Sequence, residues 1–209
     1  IFFIEIWYFY SYIAFISYRV YLKFMSIVIN YKNNTLKKNS PNNVLFVDEK
    51  FNISTIKKYI SVSEYKFIYD LLKIKDLKNN IITFDISSKR KIILVSIKKN
   101  IVSSDLENLG AKFYDIFKNL REKKFNINSD TLLSISKKNI GYFLHGAKLK
   151  SYSFEKYKSK KNFKNILINV LGKNIPTLKD QLKFTALAEG TFYTRDLVSE
   201  PGNVLHPDE

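Results

Sequence analysis

The sequence predicts a layered α/β domain followed by a connecting helix. From Met25 onward, apolar runs of strand length alternate with segments of helical period. The chain has 209 residues, 45% of them hydrophobic, which is enough to build a core and excludes intrinsic disorder. At about 100 to 200 residues per domain, this length fits one full domain and part of another.

The first half of the chain predicts four strands. Two of them, Ser26–Tyr31 and Asn43–Val47, flank the turn-rich stretch Asn33–Asn42, and we expect them to pair as neighbours. The other two are Ile81–Ile86 and Lys91–Ile97. The second of these is an almost continuous apolar run, which predicts a central strand covered on both faces.

Two helices are predicted from the spacing of a capping box, in which a serine and a glutamate each bind a free backbone N–H at the helix start. Ser61 with Glu64 predicts a helix through Lys73, and Ser104 with Glu107 predicts a second one. The second helix would bury Leu106, Leu109, Phe113, Ile116, Phe117 and Leu120 and expose Lys112, Asp115 and Lys118.

The second half predicts two strands and two helices. The strands are Thr131–Ile135 and Asn165–Val170. An amphipathic helix between them would bury Ile140, Phe143, Leu144 and Ala147. Gly172–Pro176 is predicted to be a hinge, after which Thr177 and Asp180 cap a last helix that ends near Val198.

Charge and cysteine content restrict the function. Thirty-five basic and nineteen acidic residues give a net charge of +16, typical of proteins that bind nucleic acid or anionic membranes. We give this charge little weight, because the bias extends to Asn, Ile, Phe and Tyr, the residues of A/T-rich codons, and the lysines are scattered as doublets. The absence of cysteine excludes disulfides, thiol nucleophiles and cysteine-based metal sites.

The sequence contains no recognisable active-site motif, neither an HExxH nor a glycine-rich phosphate loop. The acidic pairs Asp48–Glu49 and Asp208–Glu209 are adjacent in sequence, so their side chains diverge, and we interpret them as solvated charges. His145 on a predicted helix and His206 near the C-terminus are candidate general bases. Neither has a partner nearby in sequence, and we favour a structural role.

One segment combines aromatic and basic residues, as surfaces for single-stranded nucleic acid do. Its members are Tyr152, Phe154 and Tyr157 with Lys148, Lys150, Lys156, Lys158, Lys160 and Lys161. A short edge strand with a solvated face is the alternative that we favour.

The two ends of the chain differ from the rest. Residues 1–24 contain an uncharged run, Ile6–Tyr18, of 13 residues, against about 20 needed to cross a bilayer. No signal-peptide cleavage pattern is present, so we expect no membrane anchor, a biological start at Met25, and a non-native upstream extension before it. Residues 185–209 carry a net charge of −4 and the turn residues Pro201, Gly202 and Pro207, as at the approach to a second domain.

The segment Ala188–Glu209 resembles the junction between the two domains of M17 leucyl aminopeptidases, the cytosol aminopeptidase family. That junction reads approximately tRDLvNePgNvlTP, and here Ser199 and His206 replace its usual Asn and Thr. The matching residues are Arg195, Asp196, Leu197, Val198, Glu200, Pro201, Gly202, Asn203, Val204, Leu205 and Pro207.

Two further stretches resemble the same family. Tyr152, Phe154, Tyr157 and Lys158 match its Y-x-F-x-x-Y-K pattern. Lys91–Lys99 and Leu106–Phe117 are similar to its strand and following helix, although a Val-Gly usually occurs near Val95 and Ser96. The resemblance covers most of Met25–Glu209 and is most specific at the C-terminal end.

The resemblance implies a macro-domain-like mixed sheet flanked by helices in residues 25–172, with a connecting helix and the start of a truncated catalytic domain in 173–209. The parent would be a cytoplasmic homo-hexamer that removes N-terminal residues from peptides using two divalent metal ions, Mn, Zn or Mg. Their ligands belong to the downstream domain, so we assign no catalytic or metal residue here and expect a non-catalytic, structural or regulatory fragment.

Two other functions stay open. Some bacterial members of the family double as DNA-binding proteins, which makes a nucleic-acid-binding module the main alternative. Macro domains bind ADP-ribose, and nucleotide binding is a third hypothesis resting on fold analogy alone.

Overall fold

The computed structural model describes residues 27–38, 40–120, 122–132, 138–159, 165–202 and 204, so the predicted upstream extension, 1–24, lies outside it. These residues form a six-stranded sheet with helices on both faces, which confirms the predicted fold class. The strands are β1 Ile27–Lys32, β2 Asn42–Asp48, β3 Ile81–Ser87, β4 Arg90–Ile97, β5 Lys124–Asn128 and β6 Ile166–Leu171. The α-helices are α1 Val62–Ile74, α2 Ser103–Phe117, α3 Asn139–Lys150 and α4 Leu178–Ser199, with 3-10 turns at Ser54–Tyr59 and Ser129–Thr131.

The strands lie in the order β1-β6-β5-β2-β4-β3, and only the pairing of β3 with β4 is antiparallel. The predicted central strand is β4, an interior strand between β2 and β3. The predicted pairing of β1 with β2 is wrong, because β6 and β5 lie between them. Parallel neighbours need a crossover of about a dozen residues or more, and only residues 33–41 connect these two strands.

Two apolar clusters hold the layers together. On one face of the sheet, α2 and α3 bury Phe113, Phe117 and Phe143 against the strands. On the other face, α1 and the first 3-10 turn bury Ile68 and Ile56. Each cluster contains side chains of β2 and β4, so these two strands are covered on both sides, as continuous apolar runs predict.

Helices α2 and α3 approach each other closely because each has a glycine at the crossing. A Cβ on Gly110 would lie 1.8 Å from the carbonyl oxygen of Phe143, and one on Gly146 would lie 1.9 Å from that of Glu107. Any larger residue would push the helices apart.

Two of the three predicted helix caps are present. The Ser61 hydroxyl accepts a hydrogen bond from the Glu64 N–H, and Glu64 accepts one from the Ser61 N–H, so this capping box is confirmed. The Thr177 hydroxyl accepts from the Asp180 N–H at the start of α4.

The capping box predicted at Ser104 and Glu107 is wrong. Helix α2 begins at Ser103, and its N-cap residue, Val102, makes no side-chain cap. Glu107 instead contacts His145 on α3. Ile116, predicted to be in the core, is 50% exposed.

Strand β5 was missed. Of the predicted strand Thr131–Ile135, Thr131 lies in a 3-10 turn, and residues 133–135 are not among those that the structure describes. The actual strand contains the buried Asn126, whose side-chain oxygen accepts a hydrogen bond from Asn169 on β6 at 3.1 Å. Asn169 in turn accepts a hydrogen bond from Asn30 on β1 at 3.4 Å, so these polar side chains are paired across the sheet where apolar residues would be expected.

Within the described ranges, no helix is long and apolar enough to cross a membrane.

Candidate functional site

The two sequence stretches that carry the family resemblance most clearly contact each other at the C-terminal end of α4. The Tyr152 hydroxyl donates to Asp196 Oδ1 at 2.8 Å. Lys156 Nζ donates to Glu200 Oε1 at 2.5 Å, and the Tyr157 hydroxyl donates to Glu200 Oε2. We call these five residues the junction clasp.

Arg195 reinforces the clasp from α4. Its guanidinium donates to the Leu149 carbonyl oxygen at 2.8 Å and lies over the Tyr152 ring, 5.5 Å from its centre. The Tyr152 ring also contacts Phe192, with ring centres 5.4 Å apart. The segment after α3 is therefore attached to the last two turns of α4 by several independent contacts.

The clasp also changes the acidity of its members. Hydrogen bonds from Lys156 and Tyr157 lower the pKa of Glu200, while the neighbouring Glu200 raises the pKa of both Lys156 and Tyr157. Lys156 and Tyr157 are more than half exposed, whereas the Glu200 side chain is 9% exposed. The clasp therefore attaches the end of α4 to the segment after α3 through a carboxylate that is largely removed from solvent.

Helix α4 packs on α3 further towards its N-terminus. Phe184 contacts the rings of Tyr142 and His145, with centres 5.1 and 5.6 Å apart, and a Cβ on Gly141 would lie 2.2 Å from the Phe184 ring. Ala188 is the buried residue of this helix. The inner face of α4 thus rests on α3, and the clasp holds its end.

His145 lies between α2 and α4 and is 9% exposed. Its Nδ1 is 2.9 Å from Glu107 Oε1, and no partner for its Nε2 is found among the described residues. We interpret it as an interhelical polar contact, in keeping with the structural role favoured from the sequence.

The other candidate residues are dispersed. Asp48 Oδ1 accepts from the N–H groups of Lys50 and Asn52 and so closes the turn after β2. Asn203, His206, Pro207, Asp208 and Glu209 lie outside the described residues. Within the described part of the chain, no group of three His, Asp or Glu residues could hold a metal ion.

The basic and aromatic segment does not form the edge strand expected for it, since residues 152–159 contain no strand. Lys148 is 6% exposed, and this burial lowers its pKa, against the opposing effect of Glu189. Lys150 binds Asp115 at 3.2 Å and Lys158 binds Glu155 at 2.8 Å. Lys160 and Lys161 are not described.

A cavity of about 280 Å³ opens at the carboxyl ends of β2 and β4. Ligands of open α/β sheets bind at this edge. Val47, Ile97 and Leu132 line it, together with Lys98 and Lys99. Asp48 and Glu49 also line the cavity, and nucleotide binding stays a prediction that rests on fold analogy.

Comparisons with known proteins relate the chain to aminopeptidases. It is 40% identical over 95 residues to a protein named "probable cytosol aminopeptidase" from Phytoplasma mali, matching 42% of this chain and 19% of the relative. Proteins of the same name from Clostridium perfringens and Wolbachia pipientis are each 32% identical, over 127 and 128 residues, which are 56% and 57% of this chain and 26% and 24% of those proteins. A comparison with protein-family models finds no match.

Solved structures show the same fold. A mutant of tomato leucine aminopeptidase aligns with 87% of this chain and 40% of its own, with a TM-score of 0.68 and 15% identity. The bottromycin maturation enzyme BotP in complex with Mn aligns with 80% of this chain and 33% of its own, with a TM-score of 0.55 and 12% identity.

The resemblance to leucyl aminopeptidases inferred from the sequence is thereby confirmed, and homology links the chain to peptidases. The matched region spans about a fifth to a quarter of the curated relatives.

Sequence reasoning missed the contacts that build the clasp. Tyr152, Tyr157, Asp196 and Glu200 were each noted, but as parts of two separate motifs. The opposite charges of Lys156 and Glu200 were the available signal. It is weak, because a chain this rich in lysine offers many such pairs.

Proposed function

We propose that this chain is the N-terminal part of a leucyl aminopeptidase, an exopeptidase that releases N-terminal amino acids from peptides. The observation that carries the proposal is the 40% identity over 95 residues to a probable cytosol aminopeptidase. The shared fold of tomato leucine aminopeptidase over 87% of the chain supports it.

In this proposal the chain is structural or regulatory and the chemistry belongs to a downstream domain. Two divalent ions there, Mn, Zn or Mg, would polarise the peptide carbonyl and supply a hydroxide nucleophile. The described residues here offer no fitting set of ligands, so we derive no catalytic step from them. The parent would be a cytoplasmic homo-hexamer acting on peptides.

The test uses the whole gene product, with whatever sequence follows Glu209. We expect purified protein loaded with Mn²⁺ to release leucine from leucine p-nitroanilide, to lose activity with a chelator, and to regain it when Mn²⁺ is restored. Sedimentation should give a hexamer. A folded, metal-loaded product that leaves the substrate intact would contradict the proposal, and so would a stop codon directly after Glu209.

DNA binding is the second candidate, supported by the net charge of +16. The geometry favours it less, because Tyr152 and Tyr157 are occupied by the junction clasp and Lys148 is buried.

A further inference from the structure

Helix α4 has a second apolar face, opposite the one that packs on α3. Residues on this outer stripe recur every three or four positions, which places them on one side of a helix. They are Leu182, Ala186, Gly190, Tyr193 and Leu197. Leu182 is 61% exposed and Tyr193 is 66% exposed.

Within the described chain, four of the five stripe residues are exposed, and Leu197 at its C-terminal end is half-buried. Ala188 is fully buried on the inner face. Gly190 follows it by two residues, and because each residue turns the helix by about 100°, the two lie on nearly opposite sides. A helix packed on one face only is expected to carry polar residues on the other. Large apolar side chains on both faces indicate a helix enclosed on both sides.

Gly190 gives the more specific argument. The other glycines within described helices, Gly110, Gly141 and Gly146, each sit where an added Cβ would collide with a neighbour, whereas a Cβ on Gly190 would meet nothing within 4 Å. Glycine is unfavourable inside a helix, and its usual compensation is a close approach of another element. At Gly190 that element is absent from the described residues.

The chain after α4 is well placed to cover this stripe. Helix α4 is the last element of the structure, and a turn follows at once, in which the Val204 N–H donates to the Pro201 carbonyl oxygen at 2.9 Å. The turn bends the chain at the helix end. The curated relatives continue far beyond the matched region, which is 19% to 26% of their length.

We infer that the outer stripe is the docking surface for the downstream part of the same polypeptide, with the backbone of that part passing close to Gly190. This inference rests on the proposed function, because it requires a downstream domain. The junction clasp, on residues Asp196 and Glu200, would hold the end of α4 in the orientation that this docking needs.

The test measures side-chain burial by thiol labelling, since this chain contains no cysteine. Ala186→Cys places a thiol on the stripe, and Thr185→Cys is the matched control one residue away on another side of the helix. Both positions are exposed here. Each variant is made in the whole gene product, and its labelling rate, read by peptide mass spectrometry, is compared with its own rate in urea.

Docking predicts that Ala186→Cys labels at least tenfold more slowly, relative to urea, than Thr185→Cys. Equal relative rates would overturn the inference. Protection of Ala186→Cys that disappears on dilution would also overturn it, because a second copy would then be the cover. As a second substitution in the Ala186→Cys variant, Gly190→Leu should raise the labelling rate of the thiol, because the larger side chain would block docking. Thr185→Leu in the same variant should leave the labelling rate unchanged.

Labelling and activity separate the two proposals. A product that releases leucine while Ala186→Cys labels freely retains the proposed function and rejects the docking surface. A product that is inactive on leucine substrates while Ala186→Cys is protected rejects the proposed function and retains the docking surface.

Discussion

Arg90 connects three parts of the structure, and replacing it by methionine is the sharpest test of how the first half is held together. Its Nε donates to Glu64 Oε1 at 2.7 Å, and one terminal nitrogen donates to the Ser40 carbonyl oxygen at 2.7 Å. The other donates to the Lys38 carbonyl oxygen. Glu64 also completes the capping box of α1. Arg90→Met would therefore release the β1–β2 connection and leave the Glu64 charge without its partner.

The magnitude follows from burial. The side chains of Arg90 and Glu64 are 13% and 10% exposed. Removing one partner of a buried pair costs about 3 to 5 kcal/mol, and because this pair keeps some solvent contact we expect about 2 to 3 kcal/mol. For a chain of this size, that lowers the melting temperature by roughly 4 to 12 °C.

The effect should depend on pH. Burial acts to raise the pKa of Glu64, but its hydrogen bonds with Ser61 and the charge of Arg90 outweigh burial and bring it below the ordinary value of 4.5. A lowered carboxyl pKa stabilises the fold above the unfolded value, and this contribution is lost as pH falls through the folded value. The cost of Arg90→Met should therefore be full at pH 7 and shrink below about pH 4.5.

Urea unfolding at pH 7 measures the change, with melting followed by circular dichroism. Lys91→Met is the matched control, since the adjacent Lys91 pairs with Asp85, which is 68% exposed. It should cost about 1 kcal/mol or less. A cost for Arg90→Met below 1 kcal/mol, or an equal cost in a Glu64→Gln background, would refute the reasoning.

Four further results are expected. Phe143→Ala should cost about 3 to 5 kcal/mol in urea unfolding, because the side chain is fully buried and contacts two other phenylalanine rings. In this chain, Gly146→Ala should lower the free energy of unfolding by about 1 to 3 kcal/mol, because the added methyl group overpacks against α2. Gly190→Ala, where the methyl group meets open space, should raise it by up to about 1 kcal/mol. Changes of the same sign in the two variants would contradict the packing argument. Glu200→Gln should speed amide exchange in the last turn of α4 without changing the melting temperature, and Asp180→Asn, at the other end of the helix, is its control. DNA binding, measured by fluorescence anisotropy, should weaken steeply with salt and show no sequence preference; a clear preference among sequences at moderate salt would indicate a dedicated site.

Local features were the ones readable from sequence. The capping box of Ser61 and Glu64 and the cap of Thr177 need only residues three positions apart, so they can be read from the sequence, although the same spacing at Ser104 and Glu107 gave no cap. The apolar run Lys91–Ile97 similarly predicts an interior strand, because a run of this length that is apolar at successive positions suits a strand buried on both faces. The family resemblance was carried by residues at specific spacings and did not require a structure.

Features that join distant residues were not readable in this way. Glu107 was expected to cap its own helix, yet its carboxylate contacts His145, 38 positions along the chain. Strand β5 was not predicted because it contains the buried polar residue Asn126, whose side-chain oxygen accepts a hydrogen bond from Asn169, 43 positions away. In both cases a polar side chain found its partner only after the chain had folded.

The sequence by itself determined the type of the main elements, the fold class and the likeness to leucyl aminopeptidases, because these depend on local spacing and composition. Only the tertiary structure decided the strand order and joined Tyr152, Lys156 and Tyr157 to Asp196 and Glu200. It also revealed that α4 has an outer stripe that the described residues leave largely exposed, since which face of a helix is buried depends on the elements packed against it.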